Sequence, residues 1–414
     1  MSSIARLPQM LTGAAAPDSP YAWLRLAAAL CVGTVACVGT WSVVVSMPAI
    51  QDEFHVARAG ASFPYTVTML GFGFGSLAMG RIADRFGMAV PIVIGALCLL
   101  AGYLLAAQAG SLTTFSLAHG FLIGIGASAG FAPLMADLSH WFVRFRGLAV
   151  TVAATGSYLA GALWPQLILG SIAARGWRET HVIIGVAAAG ALLPLSLLFL
   201  RRPTARTMAA AEAATAAARG DLGVSPGALQ LMLIVAGFGC CMAMSMPQVH
   251  LVAYCGDLGY GAARGAEMLS LMLGLGIVSR LASGVVSDRI GGPMTLLIGS
   301  FMQALALFLY LFFDGLTSLY VISGLFGLFQ GGIVPMYTVI IRAYLPPREA
   351  GMRVGTVMLA TVLGMALGGL ASGYVFDIFA SYRMAFLNGL MWNLVNLAIV
   401  SWLIFRPTLR PQAA

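Results

Sequence analysis

The sequence predicts an all-helical membrane protein of about twelve transmembrane helices, folded as two related six-helix bundles. Three observations predict it. Hydrophobic residues fill 60% of 414 positions and charged ones only 9%, with a mean hydropathy of +0.93, a balance that fits lipid as the solvent and no soluble domain of this size. At about 30 residues per span and turn, the length allows roughly a dozen crossings and no large soluble domain. Short motifs also recur in the second half at nearly constant offset.

Taken in order, residues 1–24 carry Arg6, Pro8, Pro17 and Asp18 without a continuous apolar run and read as a tail. The apolar stretch from Ala27 to Val45 is too long for the core of a cleaved signal. The first span is therefore expected to double as the insertion signal. Apolar runs between charged or Pro/Gly-rich breaks place the first bundle's spans near 25–48, 61–82, 88–108, 112–137, 147–172 and 180–200, within residues 25–200. Residues 201–226, with charges, Pro203, Gly220 and an Ala-rich stretch, form the one long linker. The second bundle, 227–406, has spans near 227–253, 266–287, 292–313, 317–342, 353–376 and 384–406, and 407–414 is a short tail.

Placing both termini in the cytoplasm puts sixteen arginines inside and five outside: Arg58, Arg175, Arg178, Arg264 and Arg383. The positive-inside rule therefore predicts a multi-pass protein of the inner (cytoplasmic) membrane with both termini cytoplasmic. The net charge of +8 is explained the same way, since the arginines are scattered through short loops; no nucleic-acid partner is expected. The six cysteines lie in or beside apolar segments and read as small packing residues.

The internal repeat is the strongest organising signal. Gly80-Arg-Ile-Ala-Asp84-Arg85-Phe-Gly87 recurs as Gly284-Val-Val-Ser-Asp288-Arg289-Ile-Gly291, offset by 204 residues. Gly130-Phe-Ala-Pro133 recurs as Gly332-Ile-Val-Pro335, Met47-Pro48 as Met246-Pro247, and Trp177-Arg178 as Tyr382-Arg383, at offsets of 202, 199 and 205. Two halves sharing one pattern imply one fold made twice.

The repeated Gly-x-x-x-Asp-Arg-x-Gly stretch resembles the signature loop of the major facilitator superfamily, whose fold is two six-helix bundles around a central cavity. The basic positions that usually follow the last glycine are Met88 and Gly292 here. The resemblance implies a latch between the halves, made by Gly80, Asp84, Arg85, Gly87, Asp137, Asp288 and Arg289. Asp84 would meet the start of the eleventh span near Arg353, and Arg85 would meet Asp137. The competing reading is a turn that only sets topology. Independently of the family, a carboxylate at Asp84 suits the positive end of a neighbouring helix, and the glycines permit a tight turn.

All 14 acidic residues fall in loops or at span ends. Arg280, by contrast, precedes Asp288 by eight residues, about 12 Å into a core about 30 Å thick. An arginine there costs roughly 2.5 to 3.5 kcal/mol and should face a cavity and a partner. With no acid at that depth, an anionic substrate is the expected partner, and a guanidinium fits a carboxylate through two parallel hydrogen bonds. The alternative is that Arg280 bonds backbone carbonyls and holds helices together. Its repeat partner is Ser76, so the charge is not part of the duplicated frame.

His119 and His250 are the other titratable groups singled out in apolar surroundings. Either could carry a proton or bond an anion, or simply pack helices. The stretch from Pro247 through His250, Tyr254 and Asp257 to Gly259, followed by Arg280, is similar to the bacterial monocarboxylate porter and oxalate/formate antiporter branch of the superfamily. So are Arg146-Gly147-Leu-Ala and Gly176-Trp177-Arg178. In that branch the eighth-span arginine binds the substrate carboxylate, which corresponds to Arg280. Gly276 stands where many animal relatives carry an acid, and the eleventh span lacks a lysine, which weakens the oxalate-exchange reading.

Trp41, Trp164, Gln166, Gln248, Asn393, Tyr158, Gln330 and Tyr337 are softer cavity candidates, the last two ranked first because the tenth span lines the cavity in the fold resembled. The expected function is secondary transport of a small organic anion, a monocarboxylate, by alternating access with proton symport or anion exchange. The alternative is efflux of drugs or other small hydrophobic compounds. No enzyme activity, cofactor or metal is expected; the expected partners are the anion, protons and the lipid bilayer, and the chain is expected to act as a monomer.

Overall fold

The computed structural model describes residues 18–142, 145–202, 224–345 and 350–405. Ten of its helices are long and apolar enough to cross a membrane. One of them, Leu148–Phe199, runs 52 residues and reverses direction at Gly176 (φ 80°, ψ 164°), so it supplies two crossings. The 29-residue helix Arg58–Phe86 adds the twelfth. It is less apolar because one of its faces meets the opposite half of the molecule, where Thr66 donates to the Ala366 carbonyl at 3.0 Å.

The first span is Pro20–Ala36 and Val38–Phe54, interrupted at Cys37, whose carbonyl accepts from the Thr40 hydroxyl at 2.8 Å. The second is Arg58–Phe86 and the third Ala89–Ala107. The fourth is built in pieces: Leu112–Leu117, a π-helical turn Ala118–Gly124, Ile125–Ser128 and Ala132–Trp141. The fifth and sixth share Arg146–Ser196. In the second half the spans are Pro226–Asp257, Ala262–Ile290, Gly292–Tyr310, Leu316–Gln330 with Ile333–Tyr344, Ala350–Phe379 and Tyr382–Phe405.

The repeat is visible in backbone geometry. Gly87 and Gly291 both close their loops at positive φ, 86° and 82°, where a side chain would be strained. The fourth and tenth spans both break just before Pro133 and Pro335, and each proline sits in the first turn of the next helix, where its missing N–H costs least. Spans run longer than the apolar runs suggested, the first beginning at Pro20 and the second at Arg58. The expected loop between residues 172 and 180 is a single-glycine turn.

The exterior is apolar, with Phe74, Phe121, Leu200 and Ile378 exposed, as lipid contact requires. In the seam between the halves the fifth span packs on the eighth and the second on the eleventh. The far face, opposite the start of the first span, is sealed across this seam. Arg58 donates through Nη2 to both Asp257 carboxylate oxygens, at 2.9 and 2.7 Å. Asp377 accepts from the backbone N–H groups of Arg58 and Ala59, at 3.0 and 2.9 Å, capping the second span from the other half.

Candidate functional site

Arg280 is on the eighth span at the seam, 3% exposed. Its Nε donates to the Gly331 carbonyl of the tenth span at 3.0 Å and its Nη1 to the Ala154 carbonyl of the fifth span at 2.6 Å. Each acceptor belongs to a different half. The ring of Tyr158, one turn beyond Ala154, covers the guanidinium with 4.0 Å between the Arg280 Cζ and the ring centroid. No carboxylate pairs with Arg280 among the described residues.

Tyr158 reaches this position because residue 276 is glycine: a Cβ there would stand 2.4 Å from the Tyr158 ring. The aromatic ring thus fills the space beside the arginine where an acidic side chain would otherwise project. Gln330, immediately before Gly331, is buried and accepts from Gln248 Nε2 at 2.8 Å, while its own Nε2 has no partner. Arg280 and Tyr158 form the cluster; the Gln330 side chain, one residue before the Gly331 acceptor, pairs with Gln248.

The other candidates lie elsewhere. Tyr337 turns away, its hydroxyl donating to Asn396 Oδ1 at 3.0 Å in a polar core that also holds Ser300. His119 is inside the first bundle, its Nε2 3.3 Å from Nε2 of His181, among Tyr103, Phe115 and Trp177. His250 bonds the Gly369 carbonyl at 2.8 Å, joining the seventh and eleventh spans of one half. Trp41 and Trp164 donate to the Ser157 and Thr34 carbonyls and staple the first span to the fifth.

The latch pairing of Arg85 with Asp137 does not form. Asp137 is held by Arg25 through two bonds of 2.7 and 2.8 Å, because Arg25 enters from the first span within the same bundle and its planar fork matches the carboxylate. Arg85 is exposed and lies over the Phe86 ring, and Asp84 is exposed too. Gly80 has open space around it, and Arg289 is exposed. The Asp288 side chain lies outside the described residues.

Sequence reasoning passed over His181, although a histidine one turn after Trp177 in an apolar span was a readable signal. It also passed over the far-face seal, since Arg58, Asp257 and Asp377 come together only when the halves meet.

A twelve-span, two-bundle architecture with a buried cation on the seam defines a membrane carrier. The sequence profile of the Major Facilitator Superfamily matches residues 29–322 and 271–413. The chain belongs to that superfamily and is a multi-pass membrane transporter. It is 27% identical over 378 residues to monocarboxylate transporter 13 of Bos taurus, covering 89% of this chain and 86% of the relative. It is 25% identical to an uncharacterized transporter of the major facilitator type from Bacillus subtilis, covering 81% and 83%. Among solved structures it resembles the nucleoside transporter NupG, with a TM-score of 0.70 at 13% identity, covering 92% of this chain and 99% of that one. A bacterial homologue of the lysosomal transporter Spinster, captured inward-facing and occupied, gives a TM-score of 0.66 at 15% identity over 94% and 95%. Both show the fold alone.

Proposed function

We propose that the chain carries a small monocarboxylate across the cytoplasmic membrane by alternating access, with Arg280 as the group that binds the carboxylate. The observation that carries this reading is a guanidinium buried on the seam and bonded to one carbonyl from each half, with no acid among the described residues to balance its charge. Two carbonyl dipoles are weaker partners for a desolvated cation than a carboxylate, so an entering anion gains the charge compensation that the protein withholds. Because the site draws on both halves, occupancy and the relative position of the halves are linked.

Tyr158 covers the arginine, leaving little polar surface for a second charge on the substrate. That favours a single carboxylate. The excess of arginines on the near face supports placing both termini in the cytoplasm. Monocarboxylate transporter names among the relatives support the substrate class. A relative named as the agnestins efflux protein, 22% identical over 78% of this chain, keeps efflux of small organic compounds as the second reading.

The test is uptake of labelled lactate-type anions into proteoliposomes carrying the full chain, beside Arg280→Ala. Loss of uptake by about a hundredfold is expected for removing a charged donor from a buried anion. Unchanged uptake by the variant overturns the assignment. Transport of hydrophobic organic cations by both proteins would favour the efflux reading.

A further inference from the structure

His250 is wholly buried, and a carbonyl can only accept, so its bond to Gly369 fixes the hydrogen on Nε2. In the neutral ring Nδ1 is then a lone pair, and it has no partner among the described residues. His119 also leaves Nδ1 unpartnered. Its surroundings, however, are Tyr103, Phe115 and His181, all in the first bundle, so a charge gained there would not touch the seam.

His250 is placed differently. Its acceptor Gly369 lies against Tyr65 of the opposite half, where a Cβ would stand 3.2 Å from the Tyr65 ring. The ring of Tyr382 on the twelfth span is 6.0 Å from His250 and packs on Phe376 at 4.4 Å. Phe376 in turn lies under the Arg58 guanidinium at 5.3 Å. The charged groups of this region are Arg58, reached through Tyr382 and Phe376, and Asp377, eight residues beyond Gly369 on the eleventh span. Tyr382 faces it as a neutral hydroxyl-bearing ring, Tyr65 lies against its acceptor Gly369, and Tyr254 and Asp257 follow it on its own helix. A polar crevice of about 270 Å³, lined by Gln51, Asp52, Arg58, Val252, Ala253 and Asp257, lies farther along the seventh span toward the far face; His250 does not line it.

We infer that His250 is a proton-binding site behind the far-face seal, taking its proton at Nδ1. The proton converts a buried acceptor into a second donor and adds a positive charge about two helical turns from the Arg58, Asp257 and Asp377 cluster. Repulsion acts on Arg58, which ties the second span to Asp257. Attraction acts on Asp377, which caps the N-terminus of that span. Both effects loosen the second span from the opposite half, so protonation favours opening the far face. This rests on the transport reading only in naming the proton as coupling ion; the seal itself can be probed without any substrate.

The experiment introduces Ser62→Cys, a buried seam position on the second span beside Gly373. Labelling of that site by a membrane-impermeant maleimide is read by peptide mass spectrometry in the full chain, with and without His250→Gln. Thiol ionisation is common to both proteins, so the ratio of their labelling rates isolates the histidine. With His250 present, labelling should exceed the Gln variant by about fivefold at about pH 5.5 and match it at about pH 8. Asp377→Asn, which removes the cap, should label fast at both pH values. A ratio that does not change with pH, or a pH response abolished by His119→Gln instead, overturns the inference. If Arg280→Ala ends transport while the ratio stays flat, only the proton site fails. If the ratio changes with pH while Arg280→Ala still transports, only the substrate assignment fails.

Discussion

Two arginines are buried to nearly the same degree, Arg25 at 1% and Arg280 at 3% exposure, yet their surroundings differ in kind. Arg25 forks onto Asp137 through Nε and Nη2, donates through Nη1 to the Tyr21 hydroxyl at 3.0 Å and the Arg201 carbonyl at 3.2 Å, and lies 4.7 Å from the rings of both Trp141 and Phe199. Every partner lies in the first bundle or at the residue that ends it, Arg201, so the cluster moves as one piece. Arg280 bonds one carbonyl from each half and meets no acid among the described residues. Burial alone does not mark a binding residue. A buried charge left uncompensated at a seam does, because an incoming ion has something to complete.

The comparison breaks most decisively at substitution of the two arginines. Arg280→Ala should reduce carboxylate uptake by about a hundredfold while leaving the thermal unfolding transition nearly in place. Arg25→Ala should instead destabilise the first bundle by about 3 to 5 kcal/mol, since it strands Asp137 without its counter-charge. Unfolding followed by tryptophan fluorescence in detergent, alongside proteoliposome uptake, separates the two outcomes. Equal destabilisation by both variants would make Arg280 a second structural arginine.

Ligand stabilisation tests the same contrast from the other side. A bound monocarboxylate at about a hundredfold above its dissociation constant should stabilise the chain by about 2.7 kcal/mol. Arg280→Ala should lose that shift. Retention of the shift by the variant would place the anion elsewhere.

Gly276→Ala sharpens the role of Tyr158. The new methyl would stand 2.4 Å from the ring, so the ring must leave the arginine or the seam must part, at a cost of about 1 to 3 kcal/mol. Adding Tyr158→Ala should recover most of that loss in a double-mutant cycle. Additive effects would show that the ring yields without strain.

Much of this was legible in the chain itself. Arg280 stood out as the lone charge at membrane depth, and the Gly-x-x-x-Asp-Arg-x-Gly repeat pointed to two matched bundles. Its acceptors were not legible, since the Ala154 and Gly331 carbonyls carry no side-chain signature. Arg25 read as a boundary residue because only packing brings Asp137 to it across 112 positions. The Arg85 to Asp137 pairing came from the family pattern, and with the far face closed Arg25 holds that carboxylate. His119 and His250 were visible as buried titratable groups, but whether each faced the seam or a bundle interior depended on helix rotation, which apolar periodicity does not fix when spans are apolar all round.

The repeat itself offers the smallest effect. Arg178 and Arg383 occupy equivalent positions before the sixth and twelfth spans, and both meet an acid at the far face. Arg178 is 2.5 Å from Glu53, also donates to the Ala107 carbonyl at 2.8 Å, and lies over the Trp177 ring at 4.4 Å. Arg383 reaches Asp314 only at 3.4 Å, with both side chains more than half exposed. Solvent and salt screen the second pair almost fully, so Arg383→Gln should cost about 0.5 kcal/mol or less. Arg178→Gln loses a carbonyl bond and a ring contact as well, and should cost about 1 kcal/mol, discounted because that pair is also two-fifths exposed. Thermal unfolding at low and high salt separates them: raising the salt should shrink the Arg383 effect toward zero and leave most of the Arg178 effect. Equal, fully salt-sensitive losses would mean that the first bundle's extra contacts at this position contribute nothing, and that the two halves are more alike at their rims than at their buried arginines.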